Sequence, residues 1–130
     1  MNSPFFTLPE LCVTDTGLAN IPNWEQVDNR YTLTKMILDP LRALYGMPIH
    51  VNSGYRCPAV NKAVGGAVTS HHLQGFAVDI TGGDKVQNKR LFDLIVKSFT
   101  FDQLIDEKDL TWIHVSLVKS NNRKQTLFNK

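Results

Sequence analysis

Three side chains of the types that bind metal ions stand at separate points along the chain. His72 lies seven residues before Asp79, and His114 lies in a later strand-like segment. Imidazole and carboxylate groups are zinc ligands, and a catalytic zinc site takes three protein ligands and leaves the fourth position to water. A histidine and an aspartate at this spacing are common by chance, so the pattern needs support from the elements that carry it. His71 is an alternative to its neighbour, and His50 reads as a surface or edge histidine.

Alternation along two predicted strands supplies that support. In residues 76–80 and 112–117 every second side chain is a large apolar one, namely Phe76, Val78 and Ile80 in the first and Ile113, Val115 and Leu117 in the second. Successive side chains of a strand point to opposite faces of the sheet, so Asp79 and His114 point away from their apolar neighbours. If the apolar sides pack on helices, both groups are left on the open face, where a metal ion can lie between them.

The rest of the chain predicts an α+β fold. Helical periodicity runs from about Asn23 to Tyr45, with Pro40 expected to kink or split it. Asp84 and Gln87 resemble a capping box at the start of a later helix. The other predicted elements are a strand at 49–53, a helix at 58–64, a loop at 67–75 and a strand at 101–106. We expect a small, mainly antiparallel sheet with helices packed on one face and a zinc site on the open face.

Length and composition indicate a single domain spanning residues 1–130. We expect an irregular leader over residues 1–20 and a polar, basic tail over residues 119–130 that adds little to the core. Arg123 in that tail reads as part of a solvated end. The net charge of +2 is too small to indicate nucleic-acid binding, and no apolar run is long enough to span a membrane. Cys12 and Cys57 read as free thiols.

Three ordered motifs resemble those of the zinc D-Ala-D-Ala carboxypeptidase family. They are SHHLQGFAVDI at 70–80, which resembles the signature SxHxxGxAxD, SGYRCPAVN at 53–61 and WIH at 112–114. Segments 6–11 and 38–42 also resemble the small, single-domain branch of that family. The family includes phage endolysin peptidases, and its fold is shared with the hedgehog signalling domain. The resemblance covers nearly the whole chain.

The resemblance implies a role for each matching residue. His72, Asp79 and His114 match the zinc ligands, since the serine-to-histidine spacing of the motif selects His72 over its neighbour. Arg56 matches an arginine that binds a substrate carboxylate, a task that suits the planar fork of a guanidinium. The alternative for Arg56 is a structural salt bridge. Ser70 matches a hydroxyl near the metal loop.

The catalytic carboxylate is chosen among three acidic residues. Many family members place it three residues before the last histidine, where this chain has Thr111. The hedgehog-like branch places its glutamate close to where Glu107 stands, so we assign the general base to Glu107. Asp106 and Asp109 are the alternatives.

The resemblance implies hydrolysis of peptide bonds in peptidoglycan stem peptides, with one Zn²⁺ per chain. Both a carboxypeptidase and an endolysin-like endopeptidase fit, and a non-catalytic zinc module that binds wall fragments or a protein partner is the alternative. The N-terminus lacks the basic and apolar regions of a secretory signal. We therefore expect cytoplasmic synthesis, which favours a phage or prophage lysin that is released to the cell wall.

Overall fold

A computed structural model describes residues 3–129 of the chain. Its helices are α1 (Trp24–Leu33), α2 (Asp39–Tyr45), α3 (Pro58–Ala63) and α4 (Lys85–Ser98). Its strands are β1 (His50–Ser53), β2 (Ala77–Thr81), β3 (Gln103–Glu107), β4 (Trp112–Ser116) and β5 (Gln125–Asn129). Short 3-10 segments lie at Glu10–Cys12 and His71–Gln74.

Within residues 3–129 the strands form one five-stranded sheet in the order β1-β2-β4-β3-β5. The pairs β1–β2, β2–β4 and β3–β4 are antiparallel, and β5 runs parallel to β3. The two central strands of the predicted site, β2 and β4, are therefore direct neighbours. The expected α+β fold with a mainly antiparallel sheet is confirmed.

Helices cover one face of this sheet. The core contains apolar side chains of α1, α2, the segment between them, α4 and four of the strands. Its fully buried members include Leu38, Leu41, Val78, Ile80, Leu91, Ile95, Leu104, Ile113 and Val115. Burial of apolar surface is the main favourable term in folding, at about 25 cal/mol per Å², so this face holds the sheet in place. The opposite face is left for polar side chains.

Pro40 changes the geometry of the predicted long helix without ending it. Between α1 and α2, residues Thr34–Leu38 form a π-helical turn, in which Asp39 N donates to the carbonyl of Thr34. Pro40 lies in the first turn of α2, where its missing N–H costs least. The helix is therefore not broken at the predicted split but widens there for one turn. Asn23 caps α1 in a reciprocal capping box with Gln26.

The start of α4 has half of the predicted capping box. The Asp84 carboxylate accepts from Gln87 N at 2.8 Å. The Gln87 side chain accepts from Tyr45 Oη at 2.7 Å instead of bonding back to the cap residue. The glutamine thereby ties α4 to the end of α2.

Both chain ends are more ordered than the sequence predicts. In the leader, Phe6 and Leu11 are buried in the core. The tail forms β5, which the sequence analysis did not predict, and the described side chains of this strand are exposed. The tail thus extends the sheet while adding little to the core. The side chain of Asn129 and residues 1, 2 and 130 lie outside what the structure describes.

Strand β1 contains a bulge, and the chain just after this strand packs against the leader. Val51 pairs with Ile80 and Ser53 with Asp79, so Asn52 is an extra residue in β1. The chain continues through Gly54, where an added Cβ would overlap the Leu11 carbonyl oxygen. Glycine is needed here because two backbones approach too closely for any side chain.

None of the helices in residues 3–129 is long and apolar enough to cross a membrane. Cys12 and Cys57 are free thiols, as expected.

We expect Gly54→Ala to lower the free energy of unfolding by about 2–3 kcal/mol, since the new methyl group must displace the leader backbone. Gly65→Ala is the matched control, because this glycine has a φ of +74° but no atom within 4 Å of the place that the new methyl group would take. It should cost only about 1–2 kcal/mol, from the left-handed backbone. Urea denaturation of the two variants measures both values, and equal losses would contradict the close-approach argument.

Candidate active site

Three elements bring the predicted metal ligands together. Asp79 on β2 and His114 on β4 are direct cross-strand partners. His72 comes from the 3-10 segment His71–Gln74, which precedes β2. One ligand atom from each of these three residues lies within 4.8 Å of the other two. The sheet therefore fixes two of the positions, and a short loop supplies the third.

The Asp79 carboxylate is the centre of this cluster. Its Oδ1 lies 3.0 Å from His114 Nδ1 and 3.2 Å from His72 Nε2. Its Oδ2 lies 3.3 Å from an Arg56 nitrogen. Burial raises the pKa of Asp79, but the two imidazoles that face its carboxylate lower it by more, so that the pKa lies well below its usual range. Asp79 is thus an ionised carboxylate.

The contacts of His72 show whether the cluster suits a metal ion. His72 Nδ1 lies 2.7 Å from the carbonyl oxygen of Gly54. A carbonyl only accepts hydrogen bonds, so the ring proton belongs on Nδ1 and the lone pair on Nε2. Nε2 is buried, has no hydrogen-bond partner in residues 3–129 and faces the Asp79 carboxylate. Two lone-pair atoms in buried contact require a positive centre between them, and a zinc ion fits this donor set.

The loop that carries His72 is fixed at both ends. Ser70 Oγ accepts from His72 N at 3.2 Å and caps the 3-10 segment. Gly75 ends it with a φ of +78°. An added Cβ at Gly75 would lie 2.6 Å from the Gln26 carbonyl oxygen, so this turn packs directly on α1. Ser70 also lines the cleft beside the candidate metal ligands.

Arg56 lies beside this cluster and is itself held in place. Its Nε donates to Ser53 Oγ at 3.1 Å, and its terminal nitrogens contact Asn61 Oδ1 at 3.4 Å and Asp79 Oδ2 at 3.3 Å. Burial lowers the pKa of Arg56, while Asp79 and Glu107 raise it. The guanidinium keeps its charge throughout. This position of Arg56 is compatible with both roles considered for it, a structural salt bridge and a contact with substrate.

The structure separates the three acidic candidates. Glu107 lines the same cleft as Arg56 and His114. Asp106 is buried on the other face of β3, where it accepts from Leu110 N at 2.6 Å. Asp109 is exposed in the turn and pairs with Lys85 at 2.7 Å. Of the three, Glu107 is the carboxylate that lines the cleft together with His72, Asp79 and His114.

The two other histidines considered as ligands lie apart from the cluster. His71 lines the cleft, but its Nδ1 lies 3.7 Å from Asp102 Oδ2. Burial lowers the pKa of His71, and Asp102 opposes that shift. His50 is exposed on β1, at the edge of the sheet.

A cleft of about 590 Å³ lies on the open face of the sheet. It contains the predicted residues and several that sequence reasoning missed, among them Gln103, Ile105 and Arg123. Arg123, which was predicted to belong to a solvated end, is half-exposed, but its side chain also lines the cleft and pairs with Asp102 at 2.7 Å. Alternation along 101–106 offered a signal for Gln103 and Ile105. No local signal pointed to Arg123.

Comparison with known families agrees with this geometry. The family model described as Peptidase M15 matches residues 6–116, which include Arg56, Glu107 and the candidate metal ligands. No curated protein matches the chain. The match covers most of the chain, and the cluster of His72, Asp79 and His114 is the kind of site that a zinc-dependent peptidase needs. The chain therefore belongs to the peptidase M15 family of metallopeptidases.

Proposed function

We propose that this protein is a zinc-dependent peptidase that hydrolyses peptide bonds in peptidoglycan stem peptides. The observation that carries the proposal is the buried contact between His72 Nε2 and Asp79 Oδ1, at 3.2 Å, in the same cleft as Glu107 and Arg56. A cation-binding cluster, a carboxylate and a guanidinium are the groups that hydrolysis of a peptide bearing a carboxylate requires.

In this proposal His72, Asp79 and His114 hold one Zn²⁺. When bound, the ion acts as a Lewis acid toward a carbonyl oxygen and lowers the pKa of a bound water. The protein prepares the ligands for that ion. Gly54 O fixes the tautomer and orientation of His72, and Ser70 fixes the backbone from which this ring projects.

Glu107 acts as the general base in this proposal. It accepts a proton from the attacking water and delivers it to the amine that leaves, the usual role of a carboxylate within hydrogen-bond reach. Three features of the structure support this choice. Glu107 lies on the cleft face of β3, it pairs across the sheet with Trp112, and Arg56 is close enough to interact with it electrostatically.

Arg56 binds a carboxylate of the stem peptide and so sets which bond lies at the cluster. Ser53 and Asn61 hold the guanidinium, which keeps its orientation when substrate enters. A guanidinium can bind the C-terminal carboxylate of a carboxypeptidase substrate, and it can equally bind a carboxylate within the peptide that an endopeptidase cuts. Digestion of purified peptidoglycan with product masses recorded distinguishes the two, because the masses reveal which bond is cut.

The first prediction concerns the metal. Purified protein should contain one zinc ion per chain, and zinc should raise its thermal midpoint, since a ligand at 100 times its dissociation constant stabilises the folded state by about 2.7 kcal/mol. His72→Ala, Asp79→Ala and His114→Ala should each lose the ion. His71→Ala and His50→Ala are matched controls that should keep it. Absence of any divalent ion, together with no binding of added zinc, would refute the proposal.

The second prediction concerns the general base. Glu107→Gln keeps the size and hydrogen-bonding capacity of the side chain but removes its basicity, so hydrolysis should fall by about two to four powers of ten. Zinc content and thermal midpoint should stay unchanged. Asp109→Asn is the control and should retain activity. Loss in Asp109→Asn instead would mean that the wrong carboxylate was chosen. A zinc-loaded wild type that cleaves no wall peptide would favour a non-catalytic zinc module.

The third prediction concerns Arg56. Arg56→Lys keeps the charge but loses the two-pronged donor geometry, so kcat/KM for stem peptides should fall by about tenfold or more. Zinc content and folding should not change. Lys62→Arg, an exposed change on the neighbouring helix α3, is the control for a conservative substitution nearby. Equal activity of wild type and Arg56→Lys on every stem peptide would leave Arg56 with a structural role alone.

A further inference from the structure

Arg123 lies beyond the part of the chain that the family model matches, yet it lines the same cleft as Arg56. Its side chain grips Asp102 in a two-pronged pair, with Nε 3.0 Å from Oδ1 and Nη2 2.7 Å from Oδ2. Its backbone N–H also donates to Oδ1 at 3.1 Å. Three hydrogen bonds therefore fix where this guanidinium stands.

The pair uses only part of the guanidinium. Asp102 is buried, at 3 % exposure, whereas the Arg123 side chain is 53 % exposed. Nη1 has no hydrogen-bond partner in residues 3–129, so one edge of a rigidly held cation remains available to a ligand in the cleft. The hydrogen bond from Arg123 lowers the pKa of Asp102, so both members of the pair stay charged.

The sheet places the two arginines on opposite sides of the metal cluster. Arg56 follows β1, which is one edge strand, and Arg123 precedes β5, which is the other. The ligands Asp79 and His114 lie on β2 and β4 between them. Neighbouring strands lie ~4.8 Å apart, so β5 is on the order of 10 Å from β4, and an extended peptide covers that distance in about two or three residues.

We infer that Arg123 binds a second substrate carboxylate, two or three residues from the scissile bond on the acyl side, while Arg56 holds the carboxylate of the leaving side. The inference rests on the proposed function and adds a substrate class, namely stem peptides with a free acyl-side carboxylate. Two groups supply that chemistry: the α-carboxylate of a γ-linked D-glutamate and the side-chain carboxylate of diaminopimelate.

The experiment uses zinc-loaded wild type and Arg123→Gln with three synthetic stem pentapeptides. One contains D-glutamate and diaminopimelate with free carboxylates, one has the glutamate α-carboxylate amidated, and one has lysine in place of diaminopimelate. Wild type should favour the first over one of the other two by about three- to fivefold in kcat/KM, mostly through KM, which is the scale of a half-exposed ion pair. Arg123→Gln should lose that preference, and the peptide that wild type disfavours identifies the carboxylate.

Two further variants separate substrate recognition from folding. Arg123→Lys can keep one bond to Asp102 and should fold, but it lacks the remaining oriented donors, so its preference should also fall. Lys124→Gln removes the same charge one residue away, where the ammonium lies 6.0 Å from the centre of the Phe101 ring. It should keep the full preference. Circular dichroism and zinc content confirm that each variant is folded.

The outcomes distinguish this inference from the proposed function. An equal loss on all three peptides in Arg123→Gln, or an unchanged preference, would show that the pair with Asp102 only anchors β5, and the inference would be wrong. If wild type cleaves none of the peptides, the proposed function fails, and calorimetry of the same peptides then decides on Arg123. The inference on Arg123 is supported if wild type binds the free-carboxylate peptide more tightly than an altered peptide and Arg123→Gln loses that difference. It is overturned if wild type binds the three peptides equally.

Discussion

The structure depends on one constraint: a buried carboxylate needs positive charge from its neighbours. Asp79 is 6 % exposed and lies on a central strand, where an ionised group without partners would be very costly. Arg56 compensates one of its oxygens, and the imidazoles of His72 and His114 face the other. The contact between His72 Nε2 and Asp79 Oδ1 is favourable only when a cation or a proton lies between the two atoms. The stability of this region and its proposed chemistry therefore have the same physical origin.

The sheet meets this constraint by giving its two faces different tasks. Along β3, Leu104 and Asp106 are buried on the helix side, whereas Gln103, Ile105 and Glu107 line the cleft. The apolar face holds the strands rigidly, which matters because a ligand displaced by a fraction of an ångström no longer fits the same ion. Glu107, the proposed general base, lies on a strand, so the sheet sets its position. His72 lies on a loop and needs the separate support that Gly54 and Ser70 give it.

Segments from both ends of the chain contribute to this region, the leader as support and the tail as lining of the cleft. The leader closes over Gly54 through the Leu11 carbonyl, which accepts from Tyr55 N at 2.8 Å and lies next to the residue that orients His72. The tail brings Arg123 to Asp102 and adds β5 beside β3. The leader supports Gly54, which contacts His72, near one edge of the sheet, and the tail extends the cleft at the other edge. The match to the family model ends at residue 116, before the tail.

The sequence by itself determined the α+β fold, the strands of the site and the three residues that converge on it. Alternation along β2 and β4 sufficed to place Asp79 and His114 on one face, because strand parity is a local property of the backbone. The same parity separates Glu107 from Asp106. The choice of His72 over His71 came from motif spacing, and the structure brings His72 into the cluster.

Features whose positions depend on long-range contacts could be seen only in the tertiary structure. The bulge at Asn52 and the π turn before Pro40 arise from packing that no local pattern records. Strand β5 forms because β3 offers it an unpaired edge, and the exposed side chains of its sequence resemble a solvated tail. Arg123 enters the cleft only because Asp102, far from it in sequence, is buried and needs a cation. Such pairings depend on which strand lies beside which, and that order is fixed by the packing of the whole chain.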